Sequence, residues 1–232
     1  MPRVYKREET IDAVTEDSKK PVQLYKAGYI NRKGKTSDTK EYYSEVISEY
    51  LLNNGIVDEM SKIKSLNRKD YQVLSHQEIL RSNTNRKEEN FAKSLFGLRI
   101  NGLGDIIDYQ VPLKKIQTNK AGKIDLITYK EDKPKTAYII ELKYEGNIET
   151  LLRAVLEIAT YYEQLNMANF INSFNKYKNL NDENIKKAVL LTKGCNAYSE
   201  AKDLDNRPQL NELIRKLDVE VFFLPLEVER II

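Results

Sequence analysis

Two apolar, β-rich runs form the clearest hydrophobic pattern along the chain. They occupy residues 123–129 and 136–144, and the charged segment between them contains Pro134, as expected of a turn. We therefore predict an antiparallel hairpin whose register is symmetric about Lys133. Both arms are apolar at nearly every position, which indicates strands buried inside a fold and not at its surface.

The predicted hairpin brings three charged side chains together. Asp125 lies opposite Glu141, and directly opposed residues of an antiparallel pair share a face. Lys143 is two residues beyond Glu141 and points the same way. Like charges opposite each other destabilise a sheet, and buried charges must be paired or must coordinate a metal. The sequence therefore predicts a divalent-cation site with a lysine beside it.

Periodicity along the rest of the chain predicts further helices and strands around this hairpin. Residues 1–36 are expected to be a polar lead with little periodicity, and 56–83 short helices with a loop. The remaining predicted elements are helices at 37–54, 84–98, 148–165, 167–177 and 207–217, and strands at 105–114, 187–192 and 219–224. This order predicts an α/β fold with a central mixed sheet flanked by helices. We divide it into a mostly helical N-terminal extension, 1–83, and a core, 84–232.

Two of the predicted helices carry candidate site residues. Asn83, Thr84 or Asn85 is expected to cap the first, which places Glu88 on its inward face and Glu89 one step round. Glu88 is thus a candidate site carboxylate, although acids are also common in a helix's first turn for electrostatic reasons. In the helix at 148–165, we expect Asn147 as the cap and a buried stripe that begins at Ile148.

The arrangement Asp125 … Glu141-x-Lys143 resembles the PD-(D/E)XK nucleases, the restriction-endonuclease-like superfamily. A helix with a glutamate and a strand precede the hairpin, and an amphipathic helix follows it, as in that family. The resemblance covers residues 84–225, with Ile124 where the family's name has proline. It implies a restriction-endonuclease-like core.

The resemblance also implies a mechanism, which is metal-dependent hydrolysis of phosphodiester bonds. Mg²⁺ or Mn²⁺ would be held by Asp125, Glu141 and the backbone carbonyl of Leu142. Lys143 would orient the attacking water and stabilise negative charge, and Glu88 would bind a second metal or a metal-bound water. The other interpretation is a buried salt-bridge cluster without catalysis, which contributes little stability for its desolvation cost.

The expected partner is nucleic acid, with double-stranded DNA favoured and restriction, phage defence or repair as the setting. Phosphate contacts are predicted for a lysine-rich turn before the second strand and for one arginine on the following helix; these residues are Lys114, Lys115, Lys120, Lys123 and Arg153. The family often cuts duplexes as dimers, so a homodimer is also expected. A non-catalytic binding module on the same fold and an RNase of the same fold stay open.

The helix at 148–165 also contains charges spaced four residues apart, Glu149, Arg153 and Glu157, followed by Tyr161. Nuclease domains attached to recombination helicases have a glutamine where this chain has Glu157. Because that glutamine is replaced, we interpret Glu149–Arg153–Glu157 as a surface ion-pair ladder.

Composition narrows the chemistry without identifying it. The 232 residues are 41% hydrophobic and 31% charged, and the net charge of +3 permits local basic patches but does not prove a nucleic-acid partner. The chain has one histidine and one cysteine, which argues against a structural zinc site. The same scarcity argues against hydrolysis by a histidine- or cysteine-based mechanism. We expect His76 at the surface or a helix end, and Cys195 as a small residue after a strand. A cytoplasmic, membrane-free location is expected from the single cysteine and the polar start.

Overall fold

The computed structural model describes residues 3–73, 76, 86–114, 122–174, 176–177 and 180–224, together with the backbone of 228–230. Its helices are α1 (Arg7–Asp17), α2 (Tyr43–Asn53), α3 (Ile56–Met60), α4 (Lys87–Leu95), α5 (Leu151–Gln164), α6 (Met167–Ser173), α7 (Asn196–Ala201) and α8 (Pro208–Lys216). Its strands are β1 (Leu98–Ile100), β2 (Gly104–Pro112), β3 (Lys123–Lys130), β4 (Thr136–Lys143), β5 (Ile185–Thr192), β6 (Val219–Leu224) and β7 (Val228–Arg230).

The strands form one mixed sheet in the order β6-β5-β4-β3-β2-β1-β7. The neighbours from β4 to β7 through β3, β2 and β1 are antiparallel, whereas β4, β5 and β6 run parallel. Parallel neighbours need crossover connections, and α5 and α8 lie in the two connections here. The predicted α/β class with a central mixed sheet flanked by helices is confirmed. Within the described ranges, every helix is too short or too polar to cross a membrane.

The central hairpin has the register expected from the sequence. Leu126 pairs with Ile140 and Ile127 with Ile139, and the same register places Asp125 opposite Glu141. Strands β3 and β4 are buried along nearly their whole length because neighbours cover both their edges and helices cover both faces of the sheet. The charged side chains of Asp125, Glu141 and Lys143, near the open end of this hairpin, are therefore held inside the protein.

Helices cover the two faces of the sheet with separate hydrophobic clusters. Helix α4 packs on one face, where Ala92 and Leu95 join Ile140 of β4. Helix α5 packs on the other face with the N-terminal region, so that Leu24 and Leu156 share one cluster with Ile139. Residues before and after position 83 therefore pack in one apolar cluster. The division into an N-terminal extension and a core stays a prediction.

The N-terminal region is more ordered than its sequence pattern predicts. The expected polar lead contains α1 and two 3-10 helices, Pro21–Lys26 and Gly28–Asn31. The predicted helix at 37–54 begins only at Tyr43, because Lys35 and Tyr42 form an isolated β-bridge. Asp38, near the predicted start of that helix, accepts a hydrogen bond from the backbone N–H of Arg7 at the start of α1.

Several predicted boundaries in the core need correction. Helix α4 ends at Leu95 instead of residue 98, because Gly97 takes a left-handed conformation (φ +76°) and the chain turns into β1. Strands β1 and β7 and helix α7 were not predicted; each has eight residues or fewer, too few for a clear periodicity. The expected caps Asn83, Thr84 and Asn85 lie outside the described residues.

The start of α5 differs from the prediction in a way that matters for the site. Asn147 accepts a hydrogen bond from the N–H of Glu149, which forms a turn, and Ile148 is 68% exposed instead of buried. The helix begins at Leu151 with Thr150 as its cap. The buried Thr150 hydroxyl donates to the carbonyl of Ile30 (2.8 Å) and accepts from the N–H of Arg153 (3.2 Å). Thr150 therefore fixes α5 against the N-terminal region.

We predict that Thr150→Val destabilises the protein by about 1–3 kcal/mol, because it leaves a buried carbonyl and a helix N–H without partners. The free energy of unfolding from urea denaturation would measure this effect. Thr15→Val is the matched control: Thr15 is exposed on α1 and its hydroxyl donates to the carbonyl of Ile11 within the same helix, so we expect a change within about 0.5 kcal/mol. Equal effects of the two substitutions would contradict the anchoring role of Thr150.

Candidate functional site

The open end of the central hairpin brings Asp125, Glu141 and Lys143 together. All three residues are buried, with 8%, 5% and 2% of their surface exposed. The Lys143 ammonium donates to Glu141 Oε1 at 2.7 Å. The two carboxylates come from neighbouring strands, because β3 and β4 place them opposite each other. The predicted convergence of the three charges on one end of the hairpin is therefore observed.

Asp125 is held on both of its oxygens. The backbone N–H of Leu142 donates to Oδ2 at 2.9 Å, and the side-chain amide of Gln110 donates to Oδ1 at 2.6 Å. Gln110 lies on β2 with φ +46°, a left-handed conformation that costs energy for a residue with a side chain. The fold tolerates this strain at a position that orients a site carboxylate. Sequence reasoning missed Gln110, because a glutamine within a strand carries no signal of that role.

Two further carboxylates reach Lys143, one from the turn just before helix α5 and one from the helix itself. Glu149 Oε2 lies 2.5 Å from the Lys143 ammonium, and Glu157 Oε2 lies 3.8 Å from it. The prediction of a surface ladder is therefore wrong for Glu157, whose side chain is 12% exposed and accepts a 2.6 Å hydrogen bond from the Tyr161 hydroxyl. Because α5 packs directly on the sheet, Glu157 on this helix faces the end of the hairpin. The sequence carries no signal for this inward position, because a charged residue on an amphipathic helix usually faces water.

Glu88 approaches the same place from the opposite face of the sheet. Its Oε2 accepts from the N–H of Tyr144 (2.9 Å) and from the side-chain amide of Asn147 (3.0 Å). These bonds tie α4 to the segment that directly follows Lys143. Glu89 instead lies 3.7 Å from Arg86 in its own helix, and so the structure brings Glu88, and not Glu89, to the hairpin end.

The residues predicted to contact phosphate differ in their exposure and in their partners. Lys123 is exposed on β3, two residues before Asp125, whereas Lys114 is half-buried. Arg153 is paired with Glu149 at 2.8 Å and is thus part of the charge network around Lys143. Lys115 and Lys120 lie outside the described residues.

The single histidine belongs to a second small polar cluster. His76 Nδ1 lies 2.7 Å from Asp108 Oδ1, and its ring stacks on Tyr109 with 3.9 Å between centroids. His76 is therefore partly buried against β2 and not fully at the surface, and its predicted position at a helix end falls among neighbours that lie outside the described residues. Cys195 is buried directly after β5, as expected, and its sulfur accepts from the N–H of Tyr198 at the start of α7.

Burial and crowding raise the proton affinity of the site carboxylates. Desolvation raises the pKa of Asp125 to about 7, against the opposing effect of Lys143 and the Leu142 N–H. Desolvation, Asp125 and Glu157 together raise the pKa of Glu141 well above its usual value. For Lys143, burial alone would lower the pKa, but the surrounding Glu141, Glu157 and Glu149 outweigh it and raise the pKa. The ammonium therefore stays charged, whereas Asp125 and Glu141 hold protons more tightly than exposed acids do.

Comparison with known proteins identifies neither a family nor a function for this chain. No protein-family model matches the chain, and neither a curated protein nor a solved structure was found to match it. Across the described residues, no group of three or more histidine, cysteine, aspartate or glutamate side chains has the geometry to hold a metal ion. The site geometry is therefore the basis for any functional statement.

We predict that Asp125→Asn changes how stability depends on pH in metal-free buffer. Because the pKa of Asp125 is about 7 in the folded protein and 3.8 is its ordinary value, the folded state binds a proton between these values that the unfolded state releases. This contribution to stability falls as pH rises from about 4 to about 7, by at most about 1.4 kcal/mol per pH unit. The variant should lack this decline.

Urea denaturation of both proteins across that range, with a chelator present, measures the difference in slope. The asparagine also loses one hydrogen-bond acceptor, but that loss shifts stability by the same amount at every pH and leaves the slope unaffected. Parallel pH profiles of the two proteins would show that Asp125 is ionised normally.

Proposed function

We propose that this protein is a metal-dependent nuclease of the PD-(D/E)XK type with a restriction-endonuclease-like core, acting on nucleic acid, with double-stranded DNA as the favoured substrate. One observation carries the proposal: Glu141 and Lys143 are hydrogen-bonded neighbours on one strand, opposite the buried Asp125 on the next. An arrangement of this kind is costly to bury without a function. Its residue types also suit phosphodiester hydrolysis.

The residues present fit a divalent cation by their charge and chemistry. Five carboxylates surround the site and two cationic side chains offset them; these residues are Glu88, Asp125, Glu141, Glu149, Glu157, Lys143 and Arg153. The raised pKa of Asp125 reflects burial that opposes its negative charge, which a bound cation would relieve. Mg²⁺ prefers oxygen ligands and is commonly held by one or two carboxylates with water completing its shell. Asp125, Glu141 and the Leu142 carbonyl would hold Mg²⁺ or Mn²⁺ here.

The chain's own groups would divide the chemistry among them. Water adds to phosphorus, one P–O ester bond breaks, and the leaving oxygen takes up a proton, with no change of oxidation state. Lys143, kept charged by its carboxylates, would orient the water and stabilise the negative charge that grows on phosphate. A bound metal would lower the pKa of a coordinated water and neutralise phosphate charge. Gln110 and the Leu142 N–H would hold the Asp125 carboxylate in a fixed orientation.

Glu149 and Glu157 would position the lysine. Between them they contact its ammonium from the helix side, while Glu141 contacts it from the strand. Because three acceptors restrict the ammonium, small displacements of α5 would move it relative to the metal-binding carboxylates. Since the described residues form one such site, cutting both strands of a duplex would require a second chain or a second binding event.

We predict that Asp125→Asn, Glu141→Gln and Lys143→Met each reduce DNA cleavage at least about 100-fold, because each removes a group that contacts the reacting phosphate or its metal. Cleavage of a mixed panel of duplex DNA, single-stranded DNA and RNA with Mg²⁺ or Mn²⁺ measures the effect. The same panel separates a DNase from an RNase, and from a module that binds without cutting.

The matched control uses a Lys–Glu pair at the far side of the sheet. Lys186 and Glu220 are paired at 2.9 Å on β5 and β6, and both are partly exposed. Lys186→Met and Glu220→Gln should retain wild-type cleavage. Wild-type activity in a folded Lys143→Met or Glu141→Gln variant, from protein free of contaminating nuclease, would refute the active-site assignment.

A further prediction concerns metal binding without substrate. At about ten times its Kd, Mg²⁺ or Mn²⁺ should raise the melting temperature by about 3–5 °C, since binding to the folded state stabilises it. Because protons compete with the metal for Asp125, the increase should be larger at about pH 8 than at about pH 6. Differential scanning fluorimetry measures both effects.

The Glu141→Gln variant should lose this metal-induced increase, and Glu220→Gln should retain it. An equal increase in all three proteins would place the bound metal elsewhere. No increase at millimolar metal, with or without nucleic acid, would favour the buried salt-bridge cluster.

A further inference from the structure

A lysine-lined groove lies near the candidate active site. Its two walls come from the N-terminal region, for which the sequence pattern predicted little regular structure. It has a volume of about 860 Å³. One wall comes from residues 19–26 and another from residues 59–66, and Lys114, Gly122 and Gln164 complete the lining. The amino-acid pattern gave no reason to join these segments, because they are brought together only by packing of the N-terminal region against α5.

The lining has a strong excess of positive charge. Six lysines and one glutamate, Glu59, contribute to it, so its formal charge of +5 exceeds the net charge of +3 of the whole chain. Glu59 is paired with one of these lysines at 2.6 Å. The lysines of the two walls are exposed, and the six are Lys19, Lys20, Lys26, Lys62, Lys64 and Lys114.

Buried side chains in contact with one another separate the groove from the site. Tyr25 lines the groove, and its hydroxyl lies 3.5 Å from the hydroxyl of Tyr161. Tyr161 donates to Glu157, whose other oxygen lies 3.8 Å from the Lys143 ammonium. Gly122 closes the end of the groove against Tyr161, so tightly that an added Cβ would lie 1.9 Å from the hydroxyl oxygen. The groove therefore lies one tyrosine pair away from the carboxylate cluster.

We propose that this groove, here called the lysine groove, binds the phosphate backbone of the nucleic acid and directs one strand to the hairpin end. The proposal rests on the proposed nuclease function. Sites for small molecules are mostly apolar with a few polar groups, whereas a groove lined by six ammonium groups matches a polyanion. Lysines act as flexible point charges, so the contacts would position the strand without reading its sequence.

The test is a double substitution, Lys20→Gln with Lys64→Gln, which neutralises one lysine on each wall. Both side chains are exposed, and Lys62, which pairs with Glu59, is left in place. Binding of a short fluorescent DNA duplex is measured in chelator between about 0.05 and 0.2 M salt, where cleavage cannot interfere. Lys133→Gln with Lys216→Gln is the control, because both of these lysines are exposed outside the groove.

If the groove binds the backbone, the double variant loses two phosphate contacts. The slope of log affinity against log salt should fall by about two, and binding at about 0.15 M salt should weaken about 30-fold, with the same loss on unrelated sequences. The control variant should bind as the wild type does. Affinity and slope unchanged in the groove variant, with the wild type binding, would overturn the proposal.

The outcome can be separated from the fate of the nuclease proposal. Weakened binding in the groove variant supports the lysine groove even if wild-type protein never cuts DNA with metal. Metal-dependent cleavage with unaltered binding in the variant supports the nuclease and refutes the groove. Repeating the titration with single-stranded DNA and RNA identifies which backbone binds most tightly, and a wild type that binds none of the three at low salt refutes both proposals.

Discussion

The Lys143 ammonium is the charge on which the candidate site depends. It lies at the end of a buried strand, where an unpaired ammonium would be strongly unfavourable, and carboxylates from β4, from α5 and from the turn before α5 surround it. Glu141 in turn is buried with a pKa raised well above its usual value by desolvation and by neighbouring acids, so neither sign of charge is tolerated here without the other. The sheet and the helix that covers it must therefore be packed before the charges are compensated.

The position of the site follows from how the layers meet. The hairpin ends where α5 begins on one face and where α4 presents Glu88 on the other. Thr150 and the buried Glu200, which accepts from the N–H of Leu151 at 2.7 Å, fix the start of α5. The N-terminal region contributes to this anchoring through the Ile30 carbonyl. The same packing forms the lysine groove. The N-terminal region, for which the sequence pattern predicted little regular structure, therefore helps to hold α5 in place beside the site.

The sequence predicts the centre of this structure better than its surroundings. The register of β3 and β4 could be predicted because both strands show apolar runs about a short turn, and register then fixes which side chains oppose. The inward position of Glu157 could not, because a charged residue on an amphipathic helix usually faces water, and only the tertiary packing of α5 shows otherwise. Gln110 was hidden for a different reason, since its role depends on one left-handed backbone angle within a strand.

The shared burial of these charges also limits which substitutions the protein can accept during evolution. Substituting Lys143 alone would leave Glu141, Glu149 and Glu157 repelling one another in a place with little water, and breaking a buried pair on one side costs several kcal/mol, about 3–5. Replacing the charges together by apolar residues of similar volume would cost far less. A descendant that lost catalysis but kept this fold would therefore be expected to have lost the lysine and its acids together, so relatives should carry either the whole set or an apolar hairpin end.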